Sequence, residues 1–174
     1  MARFHTSSNR NTPLLPAGVY MLKVIDCTET VSTNGSDMFK LKLATIPHDR
    51  YVYDYLVFTP NSSWVIADFC RSSGLELPDT EADIDIHPND CLQRVCYAEL
   101  VHELSRDGKT RLSVERYLSR NEALTSNSAL VRVNVPAGTP PPKKLQKAGT
   151  ETGANSSLNR AAISQDVEPD DIPF

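Results

Sequence analysis

Short segments with the two-residue period of β-strands fill about the first two thirds of this chain. In the segment 38–46, phenylalanine and leucine alternate with Lys40 and Lys42, so one side of the strand is apolar and the other is charged. The segment 51–58 is rich in β-branched and aromatic residues, which favour strands. Three further segments are predicted to be strands on the same grounds: 19–27, 93–104 and 110–118. This pattern predicts a β-sheet with one buried face.

One segment carries helical signals. Thr59 suits the N-cap position, Pro60 suits the first helical turn, and Gly74 suits the residue at which a helix stops. Between them an apolar stripe recurs at helical spacing, and we expect its residues, the single tryptophan included, to lie in the core: Trp64, Ala67, Phe69 and Cys70.

The order of these elements is three strands, one helix and two strands. A mainly β domain with its helix between strands 3 and 4 has the order of a five-stranded OB-fold barrel. An SH3-like barrel or a small sandwich would contain similar strands, although the position of the helix suits them less well. We therefore predict a five-stranded OB-fold-like barrel, followed by a disordered C-terminal tail.

The composition changes after residue 124 and sets the domain boundaries. From Leu118 to the penultimate residue the chain has no aromatic side chain, so this region has little apolar surface to bury. A short strand over 129–135 remains an alternative for one part of it. The predicted organisation is a flexible N-terminus (1–12), a folded domain (13–124), a low-complexity linker (125–165) and an acidic tip (166–174).

The distribution of charge and apolar residues limits the location and the partners. The net charge of −4 argues against a generally basic nucleic-acid binder, but acids are concentrated in a loop over 76–90, which leaves room for a local basic face. There is neither an apolar run long enough for a membrane helix nor a signal-peptide pattern at the N-terminus, so we expect a cytoplasmic protein that binds no membrane. In that compartment the four cysteines are expected to be buried thiols.

No catalytic or cofactor motif is found. The sequence contains no nucleophile elbow, no glycine-rich phosphate loop and no calcium loop, so we predict a protein that is not an enzyme and has no cofactor or metal. A zinc site is the alternative for one group of residues, but their spacing lacks the close ligand pairs of structural zinc sites: His87, Cys91, Cys96 and His102.

Two neighbouring predicted strands offer a surface for single-stranded nucleic acid. Such surfaces combine aromatic rings, on which bases stack, with cations that follow the phosphates. Alternation places Lys40 and Lys42 on one face of the second strand, and it gives the third strand a face of tyrosines: Tyr51, Tyr53 and Tyr55. This arrangement puts Asp54 on the core side, which is a difficulty. The opposite assignment would bury three tyrosines, each of which needs a hydrogen-bond partner.

Basic residues also cluster at the last predicted hairpin, whose turn is 106–109. We interpret them as phosphate contacts, with a solvated turn as the alternative: Arg106, Lys109, Arg111 and Arg116. Three lysines in the predicted linker could add weak, salt-sensitive affinity: Lys143, Lys144 and Lys147.

The C-terminal end carries the most specific motif. Its last five residues resemble the C-terminal tip of bacterial single-stranded DNA-binding proteins (SSBs), which recruits replication and repair proteins: Asp170, Asp171, Ile172, Pro173 and Phe174. The chemistry agrees, because an apolar ring with a free carboxylate can anchor in a basic pocket while nearby acids speed the encounter. Acids that serve solubility alone would leave Ile172 and Phe174 unexplained.

The body of the chain is similar to small bacteriophage proteins regarded as phage-type SSBs. The similarity covers roughly 13–120 and is carried by three segments: 15–20, 35–38 and 55–60. It implies sequence-independent binding of single-stranded DNA in phage DNA replication, recombination and repair, within the host cytoplasm, with host replication and repair proteins as partners. A homo-oligomer is left open. Two alternatives remain: an interaction protein that mimics the SSB tip without binding DNA, and an RNA-binding OB module.

Overall fold

A computed structural model describes residues 13–78 and 83–147, and its centre is a five-stranded antiparallel sheet. The five strands are β1 (Gly18–Val31), β2 (Asp37–Ile46), β3 (Tyr51–Val57), β5 (Val95–Leu104) and β6 (Thr110–Leu118). Strand β1 lies in the middle of this sheet and pairs with β2 and β5, so that the strand order is β3-β2-β1-β5-β6. Two short strands form a separate parallel pair: β4 (Leu75–Glu76) and β7 (Lys143–Lys144).

The mainly β prediction is confirmed, since all five predicted strands occur close to their predicted bounds. The turn predicted at 106–109 is also present, with Gly108 at a φ of 75°, a conformation that favours glycine. Strands β3 and β6 are the two edges of the sheet, and within the described ranges no backbone pairing joins them. The sheet is therefore not closed by hydrogen bonds into a barrel.

The inner face of the sheet carries the larger core. Leu22, Leu41, Leu43 and Leu100 are fully buried there, and helix α1 (Ser63–Ser73) packs over them through Phe69. Along the chain, α1 lies between β3 and β5, as expected, since β5 corresponds to the fourth predicted strand. It begins later than predicted because Pro60–Ser62 forms a turn of 3-10 helix, and it ends at Gly74 in a left-handed conformation.

The prediction that Trp64 lies in the core is wrong. Its side chain is 60% exposed, whereas Val65, Ile66 and Phe69 supply the apolar contacts of α1. Phe69 lies four positions after Val65 and three after Ile66, so these residues form a better helical stripe than the one that starts at Trp64. The tryptophan is therefore a surface residue at the first turn of the helix.

A β-bulge between Val24 and Asp26 reverses which side chains of β1 face inward. Before the bulge, Leu22 and Val24 face the core, and after it Cys27 does. The outer side of β1 is therefore divided: Val19 and Met21 face outward before the bulge, and polar residues do so after it. Other residues cover the outer side of β1 before the bulge, whereas its outer side after the bulge is exposed to solvent.

The cover over the outer side of β1 before the bulge comes from the segment after the last sheet strand. Helix α3 (Arg120–Ser126) and a 3-10 helix (Ser128–Arg132) pack through Ala123 and Leu130 onto the outer side of β1, β5 and β6. The predicted domain boundary at residue 124 thus falls inside a helix. The alternative of a strand over 129–135 is wrong, because residues 128–132 form a 3-10 helix and residues 133–135 are not in a strand.

The segment 125–147, which the sequence assigned to a linker, folds onto the domain as far as it is described. Leu145 is 4% exposed, and its backbone N–H donates to the carbonyl of Glu76. The side chain of Lys143 forms an ion pair with Asp90 of the acidic loop. Arg94 is 3% exposed, and its guanidinium donates to the carbonyl of Pro141 at 3.2 Å. Residues 148–165 and the tip 166–174 lie outside the described residues, as does the N-terminus 1–12.

The remaining loop contains the short helix α2 (Pro88–Cys91). All four cysteines are free and buried, as expected. Of the helices in the described ranges, none has the length and apolar character needed to cross a membrane.

Candidate nucleic-acid interface

The outer face of β2 and β3 brings two lysines and three tyrosines together. In the strand register Lys40 lies opposite Tyr55, and Lys42 lies opposite Tyr53. The side chains of Tyr51, Tyr53 and Tyr55 are 53%, 50% and 49% exposed. We call this group of five residues the tyrosine face. Its rings lie on an edge strand, so they are accessible from the side as well as from above.

The lysine side chains lie over the tyrosine rings. The Nζ atom of Lys42 is 4.2 Å from the ring centroid of Tyr51, and that of Lys40 is 5.8 Å from the centroid of Tyr53. Both distances are within the range of cation–π attraction. The ammonium groups are therefore held next to flat rings, which is the combination that base stacking with phosphate contact requires.

A shallow groove of about 470 Å³ runs beside the tyrosine face, and its charge is mixed. Lys40, Lys42 and Tyr53 line one part of it, while Asp26 and Glu29 of β1 contribute acids. Asp26 lies directly opposite Lys42 in the register. The positive charge is thus local. A single nucleic-acid strand at this surface would gain more binding free energy from base stacking than from neutralisation of its phosphates.

Asp54 lies between two of the exposed tyrosines on β3 and has a partner on the inner side. Its Oδ2 accepts a hydrogen bond of 2.6 Å from the hydroxyl of Tyr117 on β6. Tyr117 is 4% exposed, and its ring packs edge-on against Phe69 of α1. Asp54 can therefore lie on the core side of β3, because the hydroxyl of Tyr117 supplies its hydrogen-bond donor. This hydrogen bond also joins the two edge strands of the sheet through side chains.

The environment of Asp54 gives a pH-dependent prediction. Burial raises the pKa of the Asp54 carboxyl above its ordinary value, and the hydrogen bond from Tyr117 only partly opposes this. The stability that such a group contributes is present below its ordinary pKa and is lost as the pH rises through the raised pKa. We therefore expect the wild type to gain stability relative to Asp54→Asn as the pH falls from neutral to about 4. Urea unfolding of both proteins at several pH values measures the difference.

The control for this experiment is Asp37→Asn, which removes the same charge at an exposed position on β2. A stability difference between wild type and Asp54→Asn that stays constant over the whole range would contradict the raised pKa.

The four cations of the β5–β6 hairpin lie away from these contacts. Arg111 pairs with Asp107 at 2.9 Å, and Arg116 pairs with Glu99 at 2.7 Å. Arg106 and Lys109 are exposed at the turn. Across residues 13–78 and 83–147, no ion pair, hydrogen bond or ring contact links the four cations to the tyrosines. Their predicted phosphate role remains a prediction.

The residues that the sequence offered as alternative zinc ligands are not gathered into a metal site. In the part of the chain that the structure describes, no group of three or more His, Cys, Asp or Glu side chains could hold a metal ion. Cys96 is fully buried, and burial raises the pKa of its thiol, which opposes the deprotonation that zinc binding needs. The imidazole of His102 instead forms a hydrogen bond with the carbonyl of Leu15 at 2.7 Å.

No protein-family model matches the chain, and no curated protein matches it. The predicted tip residues lie outside the described ranges, so their role rests on the sequence alone.

Proposed function

We propose that this chain is a single-stranded DNA-binding protein of the phage type, which binds without sequence preference through the tyrosine face. The observation that carries the proposal is the set of half-exposed rings of Tyr51, Tyr53 and Tyr55, with the ammonium groups of Lys40 and Lys42 beside them. Every base has a flat face, so stacking on these rings tolerates any sequence. The protein is not an enzyme in this proposal, and it needs no cofactor.

The strand order supports an OB-fold for the domain. Strands β1, β2, β3, β5 and β6 take the places of the five barrel strands, with α1 after the third. The edges β3 and β6 approach each other through Asp54 and Tyr117, which is where a barrel would close. In this fold the second and third strands carry the ligand surface, and the tyrosine face lies on those two strands.

The proposal is tested by titrating labelled oligothymidine with the full chain at several salt concentrations. We expect oligothymidine to bind more tightly than duplex DNA of the same length. For single strands, the logarithm of the affinity falls with the logarithm of salt by about 0.7 per neutralised phosphate. A preference for oligouridine would favour the RNA-binding alternative, and no binding to any of them would favour the interaction protein that mimics the SSB tip.

The two lysines of the tyrosine face give a second prediction. Lys40→Gln and Lys42→Gln are each expected to lower the salt slope by up to about 0.7, because each removes one phosphate contact. Arg132→Gln is the control, since Arg132 is an exposed cation on the 3-10 helix (Ser128–Arg132), outside the tyrosine face. Slopes that are unchanged in both face variants would contradict phosphate contacts at this site.

We further propose that residues 166–174 recruit host replication and repair proteins in the host cytoplasm. Residues 170–174 supply an apolar anchor and acids. We expect a synthetic Asp-Asp-Ile-Pro-Phe peptide to displace the full chain from a bacterial protein that binds the host SSB tip, and removal of Phe174 to abolish that binding. Binding that survives the loss of Phe174 would contradict this part of the proposal.

A further inference from the structure

Among the described residues, Trp64 is the largest exposed apolar side chain, and it belongs to neither core cluster. It is the only tryptophan of the chain, and 60% of it is exposed at the first turn of α1. The neighbouring positions Val65 and Ile66 pack against the core, which fixes the helix and leaves Trp64 on its outer side. Exposure of a ring this size therefore needs a reason other than helix packing.

The connection between β3 and α1 is held in place by several contacts. The hydroxyl of Ser62 donates to the carbonyl of Val57, the last residue of β3, at 2.5 Å. Phe58 packs edge-on against Phe39 with ring centroids 4.7 Å apart. Trp64 is thus presented from a fixed support that starts two residues after Tyr55.

These contacts also limit the distance between Trp64 and the tyrosines. Strand geometry separates the Cα atoms of Tyr55 and Val57 by about 7 Å, and Ser62 touches Val57 two residues before Trp64. The Cα atoms of Tyr55 and Trp64 are therefore on the order of 15 Å apart. A single strand that covers the ~4–16 nucleotides typical of one OB-fold can reach both.

The surroundings of Trp64 suit a stacked base better than a protein partner. Pro60, Asn61 and Ser63 nearby are exposed, and the last two are polar, so the ring is not part of a continuous apolar stretch of the chain. Protein partners need a broader apolar patch. One turn further along α1, Asp68 is paired with Arg71 at 2.6 Å, which reduces its repulsion of phosphates.

We propose that Trp64 is a further base-stacking residue, which extends the path of single-stranded DNA from the tyrosine face onto the start of α1. This inference rests on the proposed function. It adds an aromatic platform outside the two strands that the sequence pattern identified, and it predicts that long oligonucleotides make a contact that short ones do not reach.

The test uses Trp64 as its own reporter in the full chain. Tryptophan emission is recorded during titration with unlabelled oligothymidine, and the anisotropy of labelled oligothymidine is recorded in parallel. We expect strong quenching of the emission at saturation. We also expect Trp64→Ala to weaken binding of long oligothymidine by about fivefold to a hundredfold, with Trp64→Phe close to wild type. The effect of Trp64→Ala should vanish for oligomers too short to span from Tyr55 to Trp64.

The possible failures are distinguishable. One failure is that anisotropy shows DNA binding but the tryptophan emission is not quenched, and Trp64→Ala binds oligothymidine of every length as tightly as wild type. This result would overturn the role of Trp64 and leave the tyrosine face as the proposed binding surface. No anisotropy change with the wild type would overturn both the proposed function and this inference. Leu104→Ala, which truncates another exposed apolar side chain, is the matched control and should leave binding unchanged.

Discussion

Replacing Tyr53 and Tyr55 together by alanine is expected to weaken the binding of oligothymidine by about 30-fold or more. Each base stacked on an aromatic ring contributes about 1–3 kcal/mol, and the double variant removes two such rings. The fold should be retained, because both side chains are half-exposed and their neighbours Val52 and Leu56 carry the core contacts of β3. Fluorescence anisotropy at fixed salt measures the affinity, and circular dichroism checks the fold.

Conservative variants separate stacking from hydrogen bonding in this experiment. Tyr53→Phe with Tyr55→Phe keeps both rings and loses only the hydroxyls, so the affinity should stay within a few-fold of wild type. Leu104→Ala controls for the loss of exposed apolar surface on another strand. If the double alanine variant bound oligothymidine as tightly as wild type, the tyrosine face would not be the binding surface.

Arg94→Met is expected to lower the free energy of unfolding by about 3 kcal/mol, the largest effect on stability that we predict from one side chain. The Nε of Arg94 donates to the carbonyl of Asp90 at 2.5 Å. Its Nη1 donates at 3.2–3.4 Å to the carbonyls of Ser73, Gly74 and Pro141. Methionine fills similar volume but satisfies none of these carbonyls, so several polar groups in a buried region lose their donor.

The same variant should loosen the segment that leads to β7, because Arg94 links the end of α1 to Pro141. Hydrogen exchange should therefore increase at the backbone amides of Lys143 and Leu145, which donate to Gly74 and Glu76. Arg71→Met is the control: this arginine is exposed and pairs with Asp68, and its loss should cost no more than about 1 kcal/mol. An Arg94→Met protein as stable as Arg71→Met would contradict the account of the 125–147 segment.

The sequence could predict the sheet and the tyrosine face because both depend on local alternation. Once two neighbouring strands are antiparallel and share a buried face, the opposite face must collect Lys40 and Lys42 from one strand and the tyrosines from the other. That placement needs no knowledge of distant contacts. The turn at 106–109 was predictable for the same reason, since its residues determine its conformation.

Features that depend on distant partners were not predictable. The partner of Asp54 lies on β6, far along the chain, so its burial looked like a conflict. The segment 125–147 has no aromatic residues, and it is held by Leu130, by Leu145 and by the carbonyl of Pro141, which accepts a hydrogen bond from Arg94. Trp64 differs from these, because the stripe of Val65, Ile66 and Phe69 was a readable signal that its own ring faces outward.

Photocrosslinking of the full chain to oligothymidine that carries 5-iodouracil tests the central claim most directly, because it identifies the residues that the bases touch. We expect mass spectrometry to locate the adducts on the rings of Tyr51, Tyr53 and Tyr55, with none above background when duplex DNA replaces the single strand. Adducts confined to the segment that covers the other part of the outer face (120–132), or no adducts beyond the duplex control, would contradict the proposed interface.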